Sequence, residues 1–79
     1  MNVHDELVVL FRQVLDNDEL VLADQMTAYD IPGWDSVMHI NLMFGIEEKF
    51  GVRFKGNELA EFKNIGELER FLTSRLHLD

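Results

Sequence analysis

The chain contains no cysteine. That absence excludes a disulfide framework, a thiolate metal centre and a thiol nucleophile, and it suits a reducing compartment. Proline occurs once and glycine five times in 79 residues, so low-complexity architectures are excluded too. No apolar run approaches the roughly 18 to 20 residues that span a bilayer. The opening segment MNVHDEL lacks the layout of a secretory signal, so neither a membrane span nor a leader is expected. Basic side chains are scarce. Seven stand against fifteen acidic ones, a formal charge of −8, which argues against a nucleic-acid partner.

What the chain does have is apolar bulk. Hydrophobic residues make up 47% of it, including six Phe, one Trp and one Tyr, which is enough for a core and argues against disorder. A chain of this length makes one domain, expected over residues 1–79. Such a domain buries only roughly 60% of its unfolded surface. The core is therefore thin and has little room for a closed catalytic cavity. A monomeric, cytoplasmic, non-enzymatic module is the expectation.

The spacing of apolar residues predicts helices. Val3, Leu7, Leu10, Phe11 and Val14 recur at threes and fours, placing a first helix over residues 3–15 with Asn2 as its N-cap and Asp5 and Glu6 in its first turn. Residues 16–35 form a long connection without clear period. A loop of that length in so small a domain should be packed. Leu20, Val21, Leu22, Met26, Tyr29, Ile31 and Trp34 are its expected anchors. A second helix is predicted over residues 36–50, capped by Asp35 and closed by Gly51. Val52-Arg53-Phe54 alternates, and residues 57–62 suit one or two helical turns. A last helix follows Asn64, which with Glu67 resembles a capping box, and Ile65, Leu68, Phe71, Leu72 and Leu76 supply its apolar face. The fold expected is all-α: a small four-helix bundle of three main helices, a short third helix and a long first loop.

The second helix is too apolar for a peripheral position. At about 100° per residue, Leu42, Met43, Ile46 and Phe50 form one face. Val37, Ile40 and Phe44 form another beside Ser36, with Asn41, Gly45 and Glu48 between the two. The second ridge covers the packed connection, or is a partner-docking surface, or does both, with Ile40 turned inward and Val37 and Phe44 partly exposed.

The segment Gly33-Trp34-Asp35-Ser36-Val37, followed by Ile40, by Ile46-Glu47-Glu48-Lys49-Phe50 and by Val52-Arg53-Phe54, resembles the acyl carrier protein family along essentially the whole chain. The resemblance implies a free-standing carrier that holds acyl groups as thioesters on 4′-phosphopantetheine. Ser36 matches the attachment serine and Asp35 the acidic residue beside it. Glu47 and Phe50 match the helix end. It also implies partners: a phosphopantetheinyl transferase, and acyl-loading, condensing or transferring enzymes. Val37, Met38, Asn41, Phe44, Glu47 and Glu48 are the expected contacts. A serine at a helix start suits the chemistry, because a phosphodiester there meets unpaired backbone N–H groups. The alternatives are a non-carrier helical interaction module of the same fold, or an aminoacyl or peptidyl carrier.

Two departures from the family pattern bear on partners. Val37 stands where Leu or Met is usual. Carboxylates are sparse in the first half of the helix, where Met38, His39, Asn41 and Gly45 fill most outward positions and only Glu47 and Glu48 remain near its end. Docking is therefore expected to be more apolar than ionic, which points to a specialised lipid or polyketide pathway rather than housekeeping fatty-acid synthesis. Only Gly33 precedes the serine, so the glycine-rich segment of peptidyl carriers is absent. No metal is expected. His4, His39 and His77 have no metal-ligand spacing, and Asp16, Asp18 and Asp24 fail the EF-hand pattern at Leu20, Val21 and Thr27. His39 lies one turn after Ser36, but there is no nucleophile elbow and no third member for a hydrolase triad.

Overall fold

The computed structural model describes residues 2–56 and 58–76. Helix α1 covers Val3–Val14, with the Asn2 side chain accepting the Asp5 N–H at 3.2 Å. It ends one residue before the predicted boundary. Asp16 takes a positive φ of 52°, and the Asn17 N–H turns back to the Arg12 carbonyl at 2.9 Å. Asp and Asn tolerate and stabilise such local turns better than other residues. Val3, Leu7, Leu10 and Phe11 bury the predicted face.

The long connection is packed, but not by every residue expected. Leu20, Leu22 and Ile31 are buried and Met26 and Trp34 half-buried, whereas Val21 is exposed and Tyr29 is 100% exposed. Val21 stands exposed between buried Leu20 and Leu22, the in–out alternation expected of successive side chains along an extended segment. Tyr29 sits in a 3-10 turn, Ala28–Asp30. There the Thr27 hydroxyl accepts the Tyr29 N–H and the Asp30 carboxylate accepts the Thr27 N–H. The connection thus has structure of its own. It is also tied to the far end of the chain. The Met26 and Asp24 carbonyls accept the N–H groups of Ile65 and Gly66, both at 2.9 Å, satisfying donors that a helix start leaves unpaired.

Helix α2 covers Ser36–Phe50, as predicted. Asp35 caps it through Oδ1, which accepts the Met38 N–H at 2.9 Å, and Gly51 closes it at φ 67°, a conformation that costs glycine nothing. Leu42, Ile46 and Phe50 are fully buried against α1. Gly45 is not outward as expected. A Cβ there would stand 3.0 Å from Leu10 Cδ1, so this glycine lets the two helices close together. Beyond Gly51, Val52 and Phe54 turn inward and Arg53 outward, and the Glu47 carboxylate accepts the Phe54 N–H at 2.8 Å.

Helix α3 is shorter than predicted, Glu58–Glu61 with Leu59 buried; Asn57 lies outside the described residues. Helix α4 covers Ile65–Leu76. Asn64 Oδ1 accepts the Glu67 N–H at 2.9 Å. The return arm reaches one residue further back than a capping box requires, to the Lys63 N–H at 3.0 Å. Phe54, Phe62 and Phe71 cluster with ring centroids 5.1–6.3 Å apart, fastening α3 and its flanks to α4. Among the described residues there are four helices and no strand.

Candidate functional site

The start of α2 is organised by three residues before and after Ser36. Asp35 meets the Met38 N–H with its side chain and the His39 N–H with its carbonyl at 2.8 Å. The N–H groups of Ser36 and Val37, also in the first turn, have no intrahelical acceptor, as at any helix N-terminus. Trp34 is the second organiser. It packs edge-on to Phe11 of α1 at 5.4 Å between ring centroids and stacks on His39 at 6.0 Å. Its indole N–H donates to His39 Nδ1 at 3.1 Å. An indole can only donate, so His39 Nδ1 must be an acceptor and a neutral ring carries its proton on Nε2.

Ser36 itself is exposed. It borders an open groove lined by Tyr29, Trp34, Asp35, His39, Ile40 and Ala60. Trp34, His39 and Tyr29 also line a neighbouring cavity of about 260 Å³, walled by Met26, Leu59, Phe62 and Leu68. Groove and cavity thus adjoin one another, with the Trp34–His39 pair lining both. Ser74, the other serine of the chain, sits exposed within α4 rather than at a helix start.

The second apolar ridge of α2 does not cover the connection. Val37 is 63%, Ile40 50% and Phe44 59% exposed, so the expectation that Ile40 turns inward is corrected. The connection buries its own leucines against the core and has no need of the ridge. Asn41 and Glu48 are exposed beside it and Met38 is half-buried. Glu47 differs from the other expected contacts, because its carboxylate is engaged by the Phe54 N–H. Of the two late carboxylates on this helix, Glu48 is the one left exposed.

Tyr29, Trp34 and Ala60 were not singled out as site residues from sequence. Trp34 was legible as the aromatic beside Asp35-Ser36, but Tyr29 and Ala60 reach the groove only through the tertiary fold. His4 carries a second difference. No carboxylate lies near it at ligand spacing in sequence, yet α4 brings Glu69 to 2.6 Å and the connection brings Asp24 alongside.

An exposed hydroxyl thus stands at a capped helix start, beside an open groove. Residues 5–72 match the family model described as phosphopantetheine attachment site. Among solved structures the chain is similar to a holo acyl carrier protein from Geobacter metallireducens, determined by solution NMR. The TM-score is 0.86 at 38% sequence identity, covering 98% of this chain and 88% of that one. No curated protein sequence matches significantly. The chain belongs to the acyl carrier protein family, and its prosthetic group is a covalently bound phosphopantetheine.

The described residues fit such a group. A hydroxyl is free at the start of α2, first-turn N–H groups suit a phosphate, and an apolar groove leads away from it. When attached, the arm supplies the thiol that this cysteine-free chain lacks. As a family, such carriers are acted on by a phosphopantetheinyl transferase and by the enzymes of their pathway. No described helix is long and apolar enough to cross a membrane.

Proposed function

We propose that residues 1–79 form a single acyl carrier domain, that Ser36 is its attachment residue, and that it serves a specialised lipid or polyketide pathway in the cytoplasm as a monomer without turnover of its own. The observation that carries Ser36 is its place: exposed, one residue after the cap of α2, at the mouth of the groove. Asp35 holds the helix start in shape and flanks the hydroxyl that the transferase must reach. The cargo is an acyl group. The adjoining cavity of about 260 Å³ falls just below the usual range for small-molecule sites, roughly 300–1,000 Å³, so only part of a chain would be sheltered there.

The specialised pathway is supported by the surface around Ser36. Val37, Ile40 and Phe44 are exposed on α2, Met38 and Asn41 lie beside them, and Glu47 is turned to the backbone of Phe54. A partner docking here meets an apolar ridge with one late carboxylate, Glu48. Such an interface relies less on charge steering than a strongly acidic helix does.

Intact-mass spectrometry after incubation with coenzyme A and a broad-specificity phosphopantetheinyl transferase tests the carrier role. One phosphopantetheinyl group is added to the native chain and none to Ser36→Ala. No addition, under conditions that modify a control carrier, favours the non-carrier interaction module. Efficient service of a housekeeping fatty-acid ketosynthase by the holo form would remove the specialised pathway while leaving the carrier intact.

A further inference from the structure

His4 in the first turn of α1, Asp24 in the long connection and Glu69 on α4 are brought together only by the fold. One ligand atom from each lies within 4.8 Å of the other two, and His4 Nδ1 stands 2.6 Å from Glu69 Oε2. The position of Asp24 is set by backbone. Its carbonyl accepts the Gly66 N–H at 2.9 Å, and the neighbouring Ile65 N–H is held by Met26. Residue 66 must be small for this approach, since a Cβ there would meet Asp24 Cβ at 3.1 Å and its carbonyl oxygen at 3.3 Å. Glu69 follows Gly66 by three residues and so lies on the same helix face.

The surroundings leave the group's negative charge uncompensated by a fixed cation. Among the described residues neither Asp24 nor Glu69 is within ion-pair distance of a lysine or arginine; the Arg70 guanidinium reaches back toward Gly66 without pairing with either. The His4 and Glu69 side chains are 39% and 17% exposed, partly withdrawn from water yet open to an entering ion. One imidazole nitrogen with two carboxylate oxygens is a mixed donor set. It suits borderline divalent ions such as zinc, with water completing the shell, whereas calcium and magnesium prefer oxygen alone.

We propose that His4, Asp24 and Glu69 bind one divalent transition ion of the zinc class, at a place that shares no residue with the Ser36 groove. The ion replaces the direct His4–Glu69 hydrogen bond. The Nδ1 lone pair turns to the metal, and the neutral imidazole then carries its proton on Nε2. The bound ion joins α1, the connection and α4, three segments distant in sequence. It stabilises the fold because the unfolded chain does not assemble the three ligands.

The test is calorimetric titration of zinc chloride into the full chain, in the apo form and in the holo form with its thiol alkylated so that sulfur does not compete. One ion binds per chain in both, and the thermal midpoint rises by about 5–10 °C at free zinc roughly ten times the dissociation constant. The ring-proton resonances of His4 shift on binding. His4→Gln and Glu69→Gln each weaken binding about 10-fold or more, and His77→Gln leaves it unchanged. Asp24→Asn, at an exposed residue, gives the same loss in a chain whose fold circular dichroism verifies. Absence of binding, native-strength binding in the Asp24 or His4 variant, or equal competition by magnesium would overturn the site.

Discussion

At Ser36 the local structure sets a hydroxyl free while fixing everything around it. The carboxylate of Asp35 holds the Met38 N–H, and Trp34 spans from Phe11 to His39. Asp35→Ala removes the cap and should cost about 1 kcal/mol, a fall in thermal midpoint of roughly 4–8 °C; a midpoint within a degree of native by calorimetry would deny the cap that role. Gly66 offers a sharper residue-scale test, because helix propensity and packing oppose each other there. Alanine gains up to about 1 kcal/mol in helix propensity. Its Cβ, however, would press first on Asp24 Cβ and on the Asp24 carbonyl oxygen that accepts the N–H of the same residue, atoms less free to move than the end of a long side chain. We expect Gly66→Ala to be net destabilising by about 1–2 kcal/mol in urea unfolding, and a stabilised variant would contradict the close approach.

At the scale of elements, caps and period made most of the bundle readable. Asn2, Asp35, Gly51 and Asn64 mark helix ends by chemistry that acts within one turn, and the observed boundaries follow them closely. What sequence could not supply is distance between segments. Gly45 reads as a solvent position on a helical wheel until α1 arrives against it, and Tyr29 reads as an anchor until the 3-10 turn points it outward. The same limit applied to His4, whose carboxylate partners lie 65 residues on and in another element. Ser36 escaped it because its surround is contiguous: cap, serine and apolar ridge belong to one short stretch. The ridge makes its own prediction. Phe44→Asp, at a 59% exposed position, should leave stability within about 0.5 kcal/mol. It should lower the transferase kcat/KM by about 10-fold or more, the order of a lost apolar anchor at an interface. Unchanged kinetics would mean that the ridge is not the docking face.

For the molecule as a whole, charge is unevenly distributed. Residues 1–35 hold eight acidic side chains against Arg12 alone, a net −7, while residues 36–79 hold seven against six basic ones, a net −1. Few of these charges are paired; among the described residues the pair between fixed charges is Lys49–Glu6. Self-repulsion therefore concentrates in α1 and the connection, where screening relieves it. Raising sodium chloride from about 20 to 300 mM should lift the thermal midpoint by a few degrees, and a fall would show that specific ion pairs outweigh the repulsion. Because the excess acid belongs to α1 and the connection rather than to α2 itself, the same change in salt should alter transferase kcat/KM by less than about 3-fold, and a steep decline would restore an acidic docking face. All of this rests on one covalent assignment. The chain has two serines, Ser36 at the start of α2 and Ser74 within α4. Fragmentation mass spectrometry of the holo protein assigns the arm directly: phosphopantetheine on Ser36 alone is the predicted result, and its presence on Ser74 or any other residue would contradict the account.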